Sequence, residues 1–120
     1  MTREPHVLLV EDSELVTGAL RILLESDGYR VTIAPTVASA LGVSTTDPPS
    51  LALLDLTLPD GDGLTLVEPL RVAGCTRVIA LTGHDDSATR DRCLAAGCVD
   101  VLVKPVPARD LLASTRSWIE

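Results

Sequence analysis

The chain has 120 residues, 46% of them hydrophobic, and a formal net charge of −7 at pH 7. This length predicts one domain with a single core, and the apolar fraction argues against a disordered chain. The acidic balance argues against direct binding to nucleic acid or to an anionic membrane surface, because both attract lysine and arginine.

The cysteines and the first residues indicate a compartment. The three cysteines show neither CxxC nor CxxH spacing, which disfavours a disulfide framework and a zinc site. The first residues lack the pattern of a signal peptide, and no apolar run approaches the length of a membrane-spanning helix. We therefore expect a cytoplasmic protein whose cysteines are small core residues.

The chain begins with two predicted strands, His6–Val10 and Arg30–Ala34. Between them, a helix with Ser13 as its N-cap is predicted to reach about Asp27, with Gly28 ending it. The apolar residues at helical spacing that we expect on its inward face are Leu15, Ala19, Ile22 and Leu23.

A second helix is predicted to open at Pro35 and Thr36 and to give way to a loop over Thr45–Ser50. Its expected inward residues are Val37, Ala40, Leu41 and either Val43 or Ser44. Leu51–Asp55 follows as the third strand. Its short apolar run, bounded by turn residues, is typical of a strand buried on both faces of a parallel sheet.

The second half of the chain repeats the alternation. A loop with Pro59 and Gly61 leads to a third predicted helix, from about Asp62 to Ala73, which Pro69 should kink or shorten. The remaining predicted elements are a strand over Arg77–Leu81, a helix from Asp86 or Ser87 to about Ala96, a strand over Val99–Val103, and a helix with Pro107 in its first turn that reaches Trp118.

Five strands alternating with five helices predict an α/β fold with a parallel sheet and helices on both faces. The second strand ends in Ala34 and Pro35, which carry no reactive group, so it should lie outside a functional site. This fits the doubly wound, flavodoxin-like strand order 2-1-3-4-5, in which ligands bind at the carboxyl ends of the strands.

Reactive side chains follow four of the five strands: Glu11, Asp12, Asp55, Thr57, Thr82, His84 and Lys104. Two like charges about 4 Å apart cost about 4 kcal/mol at an effective dielectric near 20, so three neighbouring carboxyl groups need protonation or a cation. All-oxygen ligands favour Mg²⁺, Mn²⁺ or Ca²⁺ over zinc. Asp55 could then attack a phosphoryl group whose oxygens Lys104 and the Thr82 hydroxyl would hold.

Four segments in this order resemble the receiver domain of two-component response regulators. They are LLVEDS (Leu8–Ser13), LLDLTLPDGDG (Leu53–Gly63), ALTG (Ala80–Gly83) and AAGCVDVLVKP (Ala95–Pro105). The resemblance spans nearly the whole chain. It implies one receiver domain over residues 1–120, with no effector domain in this chain.

The resemblance also implies residue roles. Glu11 and Asp12 correspond to the acidic pair that binds Mg²⁺, with Mn²⁺ as an alternative, and Asp55 corresponds to the phosphoacceptor and a further metal ligand. Thr57 would offer its backbone carbonyl to the metal.

Three further positions complete the resemblance. Thr82, followed by Gly83, corresponds to the switch hydroxyl, and Lys104 to the lysine that pairs with phosphate. The bond before Pro105 is usually cis in the family.

The sequence departs from the family pattern at Val101, where receivers commonly carry tyrosine or phenylalanine. That aromatic side chain normally turns inward as the switch hydroxyl moves, which valine does not reproduce. Pro69 inside the third helix is also unusual.

The resemblance implies that a sensor histidine kinase or a histidine phosphotransfer protein donates the phosphoryl group to Asp55. The effector is not specified, and the chain would act as a monomer or a phosphorylation-dependent dimer, without contacting nucleic acid or membrane directly. Its only catalysis would be self-phosphorylation and slow autodephosphorylation. Two alternatives are a receiver-like interaction module that is never phosphorylated and an aspartyl-phosphate phosphohydrolase. The second usually needs a further acid where Thr57 lies.

Overall fold

The computed structural model describes residues 4–119, and a five-stranded parallel sheet forms its centre. The strands are β1 (His6–Val10), β2 (Arg30–Ala34), β3 (Leu51–Asp55), β4 (Val78–Thr82) and β5 (Asp100–Val103). They lie in the order β2-β1-β3-β4-β5, and every neighbouring pair is parallel. The predicted doubly wound, flavodoxin-like topology is confirmed.

Five helices cover the two faces of the sheet: α1 (Glu14–Ser26), α2 (Val37–Thr46), α3 (Val67–Val72), α4 (Ser87–Ala96) and α5 (Ala108–Ile119). Successive side chains of a strand point to opposite faces, so each central strand serves two cores. Leu9 and Leu53 pack with residues of α1 and α5, whereas Leu8 and Leu54 pack with residues of α2, α3 and α4. None of the helices within residues 4–119 has the length and apolar character needed to cross a bilayer.

The inward face of α1 differs from the predicted one. Leu15 and Ile22 are 88% and 69% exposed. The buried residues of this helix are Thr17, Leu20 and Leu24. Apolar residues of α1 form more than one stripe at helical spacing, and packing against α5 and the sheet selects between them. In α2, similarly, Leu41 is 38% exposed while Ala40 and Ser44 are buried.

The segment after β3 also differs from the prediction of a plain loop followed by one helix over Asp62–Ala73. Thr57–Leu58 pairs antiparallel with Gly61–Asp62, and a 3₁₀ turn over Gly63–Leu66 then precedes α3. Pro69 lies in the first turn of α3, where its missing N–H leaves no intrahelical hydrogen bond unmade. The α-helix is shorter than the predicted Asp62–Ala73, and it continues through Pro69 to Val72.

The other boundaries differ by one or two residues. β4 and β5 each begin one residue later than predicted, and α2 continues through Thr46 into the predicted loop. Pro107 directly precedes α5, and its carbonyl accepts the Leu111 N–H at 3.0 Å. His6, at the amino edge of the sheet, is 4% exposed, and its Nε2 lies 2.7 Å from Thr32 Oγ1.

The three cysteine thiols should be unreactive in the folded protein. Cys75, Cys93 and Cys98 are all buried, and burial raises the pKa of each thiol, that of Cys98 to about 12. Because the thiolate is the reactive form, we expect negligible reaction with a chromogenic aromatic disulfide at pH 8. The same reagent should modify all three thiols in denaturant, followed by absorbance. Rapid modification of the folded chain would contradict the packing described.

Candidate functional site

Three carboxyl groups meet at the carboxyl edge of the sheet. Glu11 and Asp12 directly follow β1, and Asp55 ends β3, which pairs with β1 in a register that aligns Val10 with Leu54. One oxygen from each carboxyl group lies within 4.8 Å of the others. Glu11 and Asp55 are buried, whereas Asp12 is exposed. The arrangement is therefore open to solvent on one side.

Lys104 contacts two of these carboxyl groups from the end of β5. Its Nζ lies 2.6 Å from Glu11 Oε2 and 3.2 Å from Asp55 Oδ1. Partial burial alone would lower the pKa of Lys104, but the hydrogen bond to Glu11 and the charge of Asp55 outweigh burial and raise it above its usual value. Lys104 is therefore a cation at neutral pH, held between Glu11 and Asp55.

Thr82 ends β4 beside this cluster. Its hydroxyl oxygen accepts the His84 N–H at 3.0 Å, and its carbonyl accepts the Lys104 N–H at 2.7 Å. Because the hydroxyl oxygen acts here as an acceptor, its own O–H remains available to donate. Gly83 and His84 are exposed where the chain leaves the strand. The Thr57 N–H donates to Asp55 Oδ1 at 3.3 Å.

The hairpin after β3 folds back onto Asp55. The Gly63 N–H donates to the Leu56 carbonyl at 2.8 Å, and a Cβ at position 63 would overlap the backbone carbonyl of Asp55. The turn of the hairpin is tied to α2, because the Asp60 carboxylate accepts the N–H groups of Val37 and Ala38 at 2.8 and 3.1 Å. These contacts hold the backbone that carries Asp55.

A cavity of about 810 Å³ opens from Asp55 towards α4. Its lining includes Thr57, Thr82, His84, Arg92 and Lys104. We call it the acceptor groove. Arg92 Nη2 lies 3.3 Å from Asp62 Oδ2 on the hairpin.

Sequence pattern alone does not single out Arg92, which lies on a polar surface helix, or Asp62, which lies on the hairpin. A usable signal exists: Ala88 and Arg92 are four residues apart and so share one face of α4, the face that lines the acceptor groove.

The structure brings most of the predicted site residues together. Glu11, Asp12, Asp55 and Lys104 form one cluster, with Thr82 at the adjoining strand end. The Lys104–Pro105 peptide bond is cis. Val101, the atypical position, lies away from the acceptor groove, buried in the core beneath α4 and aligned with Ala80.

Known proteins are similar to this chain over nearly its whole length. The family model for the response regulator receiver domain matches residues 7–116. The KDP operon transcriptional regulatory protein KdpE of Escherichia coli is 39% identical over 111 residues, 92% of this chain and 49% of that protein. The acid tolerance regulatory protein ActR of Rhizobium meliloti is 38% identical over 112 residues, 92% of this chain and 58% of that protein. The chain thus spans about half the length of these relatives.

Solved structures resemble the fold closely. The receiver domain of the sensor histidine kinase PA1611 from Pseudomonas aeruginosa has a TM-score of 0.86 at 30% identity, covering 98% of both chains, and holds magnesium in its active site cleft. A CheY-like receiver domain protein from Methanospirillum hungatei has a TM-score of 0.89 at 30% identity, covering 98% of this chain and 94% of that one.

Substitution of Gly63 by alanine should destabilise the fold, because the added Cβ overlaps the Asp55 carbonyl and the backbone must move. We expect the free energy of unfolding to fall by about 1–3 kcal/mol. Gly42→Ala is the matched control, since Gly42 lies in α2 with no atom near its would-be Cβ. The free energy of unfolding of Gly42→Ala should rise by about 0.5–1 kcal/mol. Equal effects of the two substitutions in urea unfolding would refute the close contact at Gly63.

Proposed function

This chain belongs to the response regulator receiver family, and on that premise we propose that Asp55 accepts a phosphoryl group from a phosphohistidine donor. The observation that carries the proposal is that Asp55 lines the acceptor groove with the Lys104 ammonium 3.2 Å from its Oδ1. The donor would be a sensor histidine kinase or a histidine phosphotransfer protein. We propose that residues 1–120 form one receiver domain.

The transfer is a displacement at phosphorus. A carboxylate oxygen of Asp55 forms a P–O bond as the bond between phosphorus and the donor nitrogen breaks, and the donor imidazole keeps that electron pair and takes a proton from water. Such reactions depend on positioning and on charge stabilisation. Lys104 pairs with a phosphoryl oxygen, and Thr82 donates its O–H to another.

The acidic cluster is suited to Mg²⁺, with Mn²⁺ as an alternative. Its ligand atoms are carboxylate oxygens within 4.8 Å of one another, and neither sulfur nor imidazole takes part. We assign Glu11, Asp12 and Asp55 as ligands, together with the backbone carbonyl of Thr57. When bound, the ion supplies positive charge that offsets the charge on the phosphoryl oxygens. The magnesium in the PA1611 receiver domain supports this assignment.

Phosphorylation adds negative charge beside Lys104 and Thr82, which would bias the domain towards a second arrangement. Because the Thr82 carbonyl accepts the Lys104 N–H at 2.7 Å, a shift of Thr82 towards the phosphoryl group moves the end of β5 with it. Because Val101 has no aromatic ring that could reorient with Thr82, we propose that the backbone hydrogen bond between β4 and β5 transmits the change. The output is control of an effector or of dimerisation.

One observation favours a second function. Val101 is buried in the core where an aromatic switch is expected, which suits an interaction module that works without phosphorylation. A phosphohydrolase is disfavoured, because position 57 holds threonine in place of a second acid. We propose self-modification of Asp55 and slow hydrolysis in place of turnover of an external substrate.

Intact mass spectrometry tests the proposed reaction. Incubation with acetyl phosphate and Mg²⁺ should add one phosphoryl group to the wild-type chain. The adduct should be absent from Asp55→Asn and from samples with a chelator, because the first lacks the nucleophile and the second lacks the metal. Beryllofluoride, which mimics the phosphoryl group, separates the alternatives: binding without an adduct indicates fast hydrolysis, and no binding supports the phosphorylation-independent module.

Replacing Lys104 by methionine should strengthen Mg²⁺ binding while slowing phosphorylation. The ammonium lies 2.6 Å from Glu11 and 3.2 Å from Asp55, so its removal ends a charge repulsion with the ion. We expect the dissociation constant, measured by calorimetry, to fall about threefold to tenfold. Arg109→Gln removes one positive charge from an exposed position of α5 and should have little effect. Unchanged or weaker binding by Lys104→Met would contradict the shared site.

A further inference from the structure

The acceptor groove extends well beyond the acidic cluster. Its cavity of about 810 Å³ reaches α4, where Ala88, Thr89 and Arg92 contribute to the lining. A phosphoryl group on Asp55 would fill a small part of this space. The α4 side of the groove is therefore free to contact the rest of the phosphodonor.

Two positively charged side chains line this groove, and they differ in how firmly they are held. Lys104 contacts both Glu11 and Asp55 and is 26% exposed. Within the part of the chain that the structure describes, the ion-pair partner of Arg92 is Asp62, at 3.3 Å, and the two side chains are 56% and 43% exposed. Exposed pairs of this kind contribute little stability. Arg92 can therefore exchange Asp62 for another anion at small cost.

Asp62 does not depend on Arg92 for its structural role. Its Oδ1 accepts the Leu64 N–H at 2.9 Å and so caps the 3₁₀ turn, whereas the other oxygen, Oδ2, faces Arg92. Release of Arg92 would leave that cap in place.

The negative charge of the chain would oppose the binding of an anionic phosphodonor, which a cation such as Arg92 can offset. The chain carries a net charge of −7, and Asp55, which lines the acceptor groove, belongs to a cluster of three carboxyl groups. An anionic phosphodonor is repelled on approach, and a cation on the wall of a cleft raises the local concentration of an anion. Lys104 contacts two carboxyl groups of that cluster and is assigned to a phosphoryl oxygen, so Arg92 is the cation of the lining that can attract the rest of an anionic donor.

We propose that Arg92 is a specificity-determining residue for the phosphodonor: it exchanges its contact with Asp62 for an anionic oxygen of the incoming donor. Asp62 then acts as an internal competitor that the donor displaces. The inference rests on the proposed phosphorylation of Asp55 and adds the recognition of small anionic phosphodonors, such as acyl phosphates, by α4.

Two substitutions that break the same ion pair distinguish recognition from structure. Arg92→Gln removes the recognising cation, and Asp62→Asn removes its competitor while keeping the oxygen that caps the 3₁₀ turn. Arg90→Gln and Asp91→Asn make the same changes in net charge at exposed positions of α4 outside the lining of the groove. The rate constant for phosphorylation by acetyl phosphate is measured for all five chains by intact mass, at low and high ionic strength.

Recognition predicts opposite effects of the two substitutions. Relative to its charge-matched control, Arg92→Gln should lower the rate constant by about twofold to fivefold, and Asp62→Asn should raise it by a similar factor. Both differences should shrink in high salt, which screens exposed charges.

Three results would overturn the inference. If both substitutions changed the rate constant in the same direction, the ion pair would matter for the structure and not for recognition. If their effects equalled those of the charge-matched controls, Arg92 would act only through the net charge of the chain. A wild-type chain that forms no adduct would refute the proposed function itself and the inference with it. An adduct in the wild type with no special effect of Arg92 refutes the inference alone.

Discussion

One ammonium group holds the functional edge of this protein together. Lys104, the single lysine of the sequence, extends from the end of β5 to Glu11, which follows β1, and to Asp55, which ends β3. Carboxyl groups crowded at one edge of a sheet repel one another, and a buried charge without a partner is costly. The contact therefore makes the cluster tolerable without a metal and fixes the place from which Lys104 can pair with a phosphoryl oxygen.

The rest of the edge serves to position Asp55. The parallel register sets β1 and β4 on either side of β3, so that Glu11, Asp55 and Thr82 become neighbours without any long loop. The hairpin after β3 then closes against the Asp55 backbone, because glycine at position 63 leaves room for the carbonyl. Asp60 joins that hairpin to α2. Movement at Asp55 can therefore reach both β5 and α2.

The sequence predicted the strands and the acidic cluster, because both follow from local pattern and strict alternation. A run of four apolar residues that ends at Asp55 indicates a buried parallel strand. The buried face of α1 could not be predicted this way, because Leu15 and Leu20 lie in different apolar stripes at helical spacing. Packing against α5, which is distant in sequence, determines which stripe is buried. The hairpin and the Arg92–Asp62 contact were missed for the same reason, since each depends on residues that meet only in the folded chain.

The chemical position of the phosphoryl group shows which carboxylate is the acceptor. After reaction with acetyl phosphate and Mg²⁺, borohydride reduces an aspartyl phosphate to homoserine, which peptide mass spectrometry then locates in the chain. We expect homoserine at position 55 alone. Homoserine at position 12 or at any other carboxyl group, or an adduct that yields none, would contradict this expectation, because the nucleophile would then not be the carboxylate that Lys104 contacts on β3.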